Sequence, residues 1–105
     1  MPTSGDDLVP GGAGDETLSG LAGNDTIYAL QGNDVLYGGI GDDSLHSGSG
    51  DDTVYGHDGN DILVNDGGND IMYGGRGDDR FTMGDVVYGS SGTAFGGAGR
   101  DVFVV

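Results

Sequence analysis

The sequence contains no cysteine. Disulfides therefore cannot offset a small core, and a thiolate metal site is excluded. Basic side chains are scarce: three against 18 acidic ones, for a net charge of −15. Such a chain repels nucleic acid and anionic membrane surfaces. Long hydrophobic runs are missing too, and none approaches the ~18 residues of a membrane span. Met1–Asp7 has neither a basic start nor an apolar stretch, so no N-terminal signal peptide is expected. Neither G-x-S-x-G nor H-E-x-x-H occurs, and no nucleophile pairs with a base, so no enzyme is expected. Proline appears only twice and glycine does not recur every third residue, which excludes collagen.

What the chain has is glycine, 25 residues of it, in strict phase with acid. Nine nonapeptides begin at Pro2, Gly11, Gly20, Ala29, Gly38, Ser47, Gly56, Asn65 and Gly74. Position four is always Gly, which predicts a backbone angle φ > 0. Position five is always Asp or Asn, residues that tolerate the left-handed region. Position six is Asp in eight repeats and Glu16 in the second. Position eight is always apolar, from Val9 to Phe81. This reads as a six-residue turn followed by a three-residue strand whose middle side chain points inward. Two nonapeptides then make one 18-residue coil. Repeats two apart stack as parallel strands about 4.8 Å apart. Odd-numbered repeats build one sheet and even-numbered repeats the other. Phase is lost over residues 83–95, a half-coil with four residues too many, and returns over 96–104. The expected organisation is one domain: nine repeats over 2–82, an irregular half-coil over 83–95, and a terminal repeat over 96–105. Asp101 is expected beneath Asp79.

One apolar side chain per nine residues buries too little surface to offset the ordering of nine backbones. Stacking also brings the position-six carboxylates together, and they repel. Without a counter-ion the chain is therefore expected to be disordered. The donors available to a cation are carboxylates and turn carbonyls, hard oxygens that suit Ca²⁺ better than the stricter octahedral Mg²⁺.

The motif G-G-x-G-x-D-x-U-x, seen in full at Gly38–His46, resembles the RTX (repeats-in-toxin) nonapeptide of calcium-binding β-rolls. The resemblance covers 2–82 and 96–104. It implies an all-β fold: a right-handed parallel β-roll (β-solenoid) of 18 residues per coil, with two short parallel sheets and calcium-filled turns. It further implies that each ion is held by positions two, four and six of one turn and one, three and six of the turn a coil later. On the odd side this assigns Thr3, Gly5 and Asp7 with Gly20, Ala22 and Asp25. Next come Leu21, Gly23 and Asp25 with Gly38, Ile40 and Asp43, then Gly39, Gly41 and Asp43 with Gly56, Asp58 and Asp61. The fourth site joins His57, Gly59 and Asp61 to Gly74, Arg76 and Asp79. On the even side it assigns Gly12, Gly14 and Glu16 with Ala29, Gln31 and Asp34, then Leu30, Gly32 and Asp34 with Ser47, Ser49 and Asp52. The last even site joins Gly48, Gly50 and Asp52 to Asn65, Gly67 and Asp70. An eighth site would join Gly75, Gly77 and Asp79 to Gly96, Ala98 and Asp101. Seven divalent ions would leave about one of the 15 negative charges.

Some positions depart from the motif. Glu16 is a methylene too long, and Leu21, Leu30 and His57 stand where glycine is usual. The 83–95 half-coil has no position-six Asp in phase, so no even-side site is assigned below Asp70, with Asp85 as a substitute. Tyr37, Tyr55 and Tyr73, spaced by 18, are expected to form an outward column that stabilises the even sheet, with ligand binding the alternative. His46 and His57 are read as neither metal ligands nor catalysts, and Arg76, Arg80 and Arg100 as solubility or end-cap residues. Relatives of this repeat occur in type I-secreted toxins, proteases, lipases and alginate epimerases. The role implied is calcium-triggered folding of a larger secreted protein outside the cell. A carbohydrate-binding or adhesion module is the alternative. An ice-binding face is disfavoured, because Thr17, Thr26 and Thr53 are too few and divided between sheets.

Overall fold

The computed structural model describes residues 5–65, 67–82 and 91–104. Thr3, Asp85 and most of the irregular half-coil, residues 83–90, lie outside them. Alternating polarity over three-residue windows gives short strands. They are β1 (Leu8–Pro10), β2 (Thr17–Ser19), β3 (Thr26–Tyr28), β4 (Val35–Ile40), β5 (Ser44–His46) and β6 (Thr53–Asp58), followed by β7 (Ile62–Val64), β8 (Asn69–Tyr73), β9 (Arg80–Thr82), β10 (Ser91–Phe95) and β11 (Val102–Val104). No helix occurs among the described residues. Odd strands form one sheet, ordered β1-β3-β5-β7-β9-β11, and even strands the other, ordered β10-β8-β6-β4-β2.

Every pairing is parallel, and most join residues 18 apart: Ile27 lies on Leu45, Leu45 on Leu63, Leu36 on Val54. The fold is therefore the expected parallel β-solenoid with two sheets. The inward ladder is equally regular. Ile27, Leu36, Leu45, Val54, Leu63, Met72 and Phe81 are fully buried. At the ends Leu18 and Ala94 are only partly covered, and Phe103 stacks on Phe81 but stays half exposed. The body is correspondingly thin, 13 Å in its smallest extent. Two packed sheets about 10 Å apart account for it.

The half-coil after β9 rejoins the even sheet through β10, where Ala94 continues the Met72 position and Phe95 the Tyr73 position. β10 thus pairs with β8 at a spacing of 22 residues rather than 18, so the four extra residues precede Ser91 in the sequence. Gly92 takes the place opposite Asp70, so no carboxylate stands there. On the odd side Val102 pairs with Arg80, 22 residues on, which absorbs the insertion.

Turn conformation follows the sequence expectation at position four, where Gly23, Gly32, Gly41, Gly50, Gly59, Gly68 and Gly77 have φ between 80° and 125°. Gly14 is an exception without positive φ. The expectation fails at position five, where no Asp or Asn is left-handed; the second left-handed residue is at position two. Leu21, Leu30 and His57 hold φ of 75°, 72° and 71° there. A non-glycine residue in that region costs about 1–2 kcal/mol. At each of these three positions a side chain stands where the motif usually has glycine.

Candidate metal centre

Position five has a different use. Each side-chain oxygen accepts the backbone N–H of the equivalent residue one coil later. On the odd edge, Asn24 N–H donates to Asp6 Oδ1, Asp42 to Asn24, Asn60 to Asp42, Asp78 to Asn60 and Arg100 to Asp78, all at 2.8 Å. On the even edge Asp15, Asn33, Asp51 and Asn69 do the same. Carboxylate and amide alternate strictly along both ladders. Adjacent rungs thus never place two carboxylates together, which limits the repulsion of a stacked row.

Position six forms the inner ladder, running the other way. Here the N–H of the earlier coil donates to Oδ1 of the later one: Asp25 to Asp43 at 2.8 Å, Asp43 to Asp61 at 2.8 Å, Asp61 to Asp79 at 2.9 Å and Asp79 to Asp101 at 2.9 Å. On the even edge Glu16 donates to Asp34, Asp34 to Asp52 and Asp52 to Asp70. Asp101 therefore sits beneath Asp79 as expected. These side chains are almost wholly buried from Asp25 to Asp79.

Their second oxygens are the informative atoms. Oδ2 of Asp25, Asp34, Asp43, Asp52, Asp61 and Asp79 is buried without a hydrogen-bond partner. A buried carboxylate oxygen left this way is costly unless a cation accompanies it. Burial raises the pKa of each, with the neighbouring carboxylates adding to the effect and the backbone N–H opposing it. Asp43 and Asp79 rise to about 6, Asp52 to about 7 and Asp61 to about 8, while Asp25 and Asp34 shift in the same direction. On the odd edge position one must be glycine. A Cβ on Gly20, Gly38, Gly56, Gly74 or Gly96 would come within 2.6 Å of the Oδ2 of its own repeat.

No group of three or more carboxylates or imidazoles converges among the described residues. What the fold brings together instead are carboxylates stacked one coil apart, with main-chain carbonyls of the same turns beside them. Several of the assigned carbonyls already accept one hydrogen bond: Leu21 from Ile40 N–H, Leu30 from Ser49, His57 from Arg76, Ile40 from Gly23 and Asp58 from Gly41. A carbonyl has a second lone pair, so each remains able to face a cation. Buried carboxylates plus carbonyls at 18-residue spacing is oxygen-only chemistry for a hard ion. A family model of the RTX calcium-binding nonapeptide repeat, in four copies, matches residues 10–45, 37–72 and 46–81.

The chain belongs to this RTX repeat family. It is thus a calcium-binding β-roll. No curated protein and no solved structure gives a match.

Two RTX turns differ from the rest. Glu16 folds its longer side chain back, so that Oε1 accepts Gly12 N–H of its own turn. Asp70 Oδ2, unlike the six above, accepts a hydrogen bond from Ser47 Oγ at 2.9 Å. Burial still raises Asp70, to about 6. Asn65 Oδ1, in the same repeat as Asp70, is buried without a partner. Near the Glu16 turn, Gly12, Ala13, Leu30, Gln31 and Gly48 line an open concavity of about 550 Å³.

The tyrosine column forms. Tyr37 and Tyr55 stack at 5.2 Å and 8°, and Tyr55 and Tyr73 at 5.0 Å and 6°. Phe95 extends it below Tyr73 at 5.1 Å, and His57 lies against both Tyr37 and Tyr55. Stacking in this way covers the inner ring faces. On the odd sheet His46 stacks on Tyr28 at 4.6 Å.

Proposed function

We infer that this RTX β-roll is a calcium-triggered folding module that takes up about seven or eight ions through the residues assigned above. It is disordered in calcium-poor conditions and folds at the ~mM calcium found outside cells. Its place is in a larger protein exported unfolded by a type I route. The role proposed is structural, without catalysis by this chain. The observation that supports the reading is the run of buried Asp Oδ2 atoms without partners. Without a cation this arrangement concentrates like charges in a dry interior; a divalent ion between rungs turns that repulsion into attraction.

The test is a calcium titration followed by far-ultraviolet circular dichroism, starting from chelator-treated protein. Calcium should induce β-structure cooperatively, and magnesium at equal concentration should not. A chain that remains fully folded in chelator overturns the reading. The carbohydrate-binding alternative draws no support from the tyrosine column, since sugars stack on ring faces and the inner faces are already taken.

A further inference from the structure

The two edges of the roll are not equivalent. On the odd edge four consecutive position-six carboxylates, Asp25, Asp43, Asp61 and Asp79, each carry a buried Oδ2 without a partner. Position one beside them is always glycine. The even edge has only two such carboxylates, Asp34 and Asp52. Above them Glu16 is turned back onto Gly12 N–H, and below them Asp70 is engaged by the Ser47 hydroxyl. Both bonds come from the protein itself and satisfy the oxygen that a cation would otherwise need to satisfy. Position one on this edge is Gly11, Ala29, Ser47 and Asn65, and the Ser47 hydroxyl is the group there that supplies such a bond.

We propose that calcium loads this roll in two classes, and that Ser47 sets the boundary between them on the even edge. The tight class consists of the intervals flanked on both sides by a partnerless buried Oδ2. Three lie on the odd edge, Asp25–Asp43, Asp43–Asp61 and Asp61–Asp79, and one on the even edge, Asp34–Asp52. The weak class consists of Asp7–Asp25 and Asp79–Asp101, whose outer carboxylates are half-buried, and of Glu16–Asp34 and Asp52–Asp70. In the last interval an ion must compete with the Ser47 hydroxyl for Asp70. The other oxygens are in place there, because Asp52 Oδ2 and Asn65 Oδ1 are both buried without partners. Ser47 is thus a positioning residue that withholds one carboxylate, and removing its hydroxyl completes a donor set. The inference rests on the calcium-triggered reading above, but it concerns the order of loading rather than loading itself.

Native mass spectrometry of the full chain during a calcium chloride titration, with equilibrium dialysis as a second count, tests it. The wild type should accumulate a four-ion species before further ions add at roughly tenfold or more higher free calcium, a gap of about 1.4 kcal/mol per site. Ser47→Ala should move the plateau to five ions. Ala29, at the same position two repeats earlier, shows that the turn accepts a Cβ. Asp34→Asn, an even-edge control in the tight class, should reduce the plateau to three. Two results overturn the proposal while leaving calcium-triggered folding intact: loading without a plateau at four, or a plateau that Ser47→Ala does not move. A chain that binds no calcium removes both readings together.

Discussion

Asp61 lies one coil beneath Asp43, and its Oδ1 takes the Asp43 N–H at 2.8 Å while its Oδ2 is left buried and without a partner. Each such carboxylate thus does two jobs. One oxygen sets the register between turns, and the other is available to a cation.

Asp43 faces an ion interval above and another below, whereas Glu16 borders only one and is already turned toward Gly12. Asp43→Ala should therefore raise the calcium midpoint of folding more than Glu16→Ala. The lost charged hydrogen bond from Asp25 alone is worth about 1.5–3 kcal/mol. Glu16→Ala removes one hydrogen bond inside its own half-buried turn and a ligand to a single interval, so its cost should be the smaller. Equal shifts in a circular dichroism titration would count against the stacking register.

Proton competition gives a pH dependence with a definite sign. Burial raises Asp43, Asp70 and Asp79 to about 6, Asp52 to about 7 and Asp61 to about 8 from an ordinary value of 3.8. Folding of the metal-free roll therefore takes up protons. The stabilisation this brings is complete below about pH 4 and is lost as pH rises through 6 to 8. Calcium needs the ionised form, so its binding to the folded metal-free roll releases protons. The disordered chain already has ionised aspartates above about pH 5, so acid favours the metal-free roll over the disordered chain, and β-structure in chelator should increase as pH falls from 8 to 5. Chelator-treated protein whose circular dichroism does not change over that range would refute the raised titration of these carboxylates.

The outer ladder predicts an effect of amide identity. Asn60→Asp keeps the oxygen that accepts Asp78 N–H but places three carboxylates in a row, with Asp42 and Asp78 on either side. It should lower stability at saturating calcium by about 0.2–1 kcal/mol. Thermal melts in low and high salt should show that loss shrinking as salt screens it. A loss that salt leaves unchanged would point to the hydrogen bond rather than to charge.

Tyr55 touches Tyr37, Tyr73 and His57, so Tyr55→Ala breaks the column in the middle. It should cost more than about 1 kcal/mol of stability at saturating calcium. Tyr28→Ala removes a single stacking partner, His46, and should cost less. Chemical denaturation of both variants gives the comparison.

The repeat unit can be tested by deletion. Removing Gly38 through Tyr55 excises one coil and brings Asp25 over Asp61 and Asp34 over Asp70. Both position-five ladders then meet at amides, Asn24 over Asn60 and Asn33 over Asn69, so no new carboxylate contact arises. Removing only Gly38 through His46 exchanges the sheets of everything below the cut relative to the coils above it, so that Val64 rather than Tyr55 follows Tyr37 in its column and Ser47 follows Gly20. The shorter deletion should fold less stably than the longer one. Stability that simply follows the number of residues removed would contradict an 18-residue coil.

The solenoid was legible in the sequence because its signals are local and repeated. An apolar residue every nine positions can reach a core only by alternating between two sheets, and Ile27, Leu36 and Leu45 do so. Contacts whose partners are 18 or more residues apart were less visible. The Asp/Asn pattern at position five suggested a left-handed turn residue, because local propensity and a cross-coil acceptor select the same two residue types. Strict alternation at 18-residue spacing was the signal that separated them. Ser47 offered no signal, since its bond to Asp70 spans 23 residues and depends on how far one hydroxyl reaches between turns. The site residues were readable as a pattern of carboxylates; which oxygens lack partners required coordinates.

The opposed directions of the two aspartate ladders bear on how the roll responds to force. Any coil is held to both neighbours by bonds it donates and bonds it accepts, so neither end offers a weaker polarity from which to peel. Under tension along the chain, a coil gives way as a unit of 18 residues, each releasing about 60 Å of slack. The force trace should be a regular staircase at saturating calcium, with step height following ion occupancy on each rung.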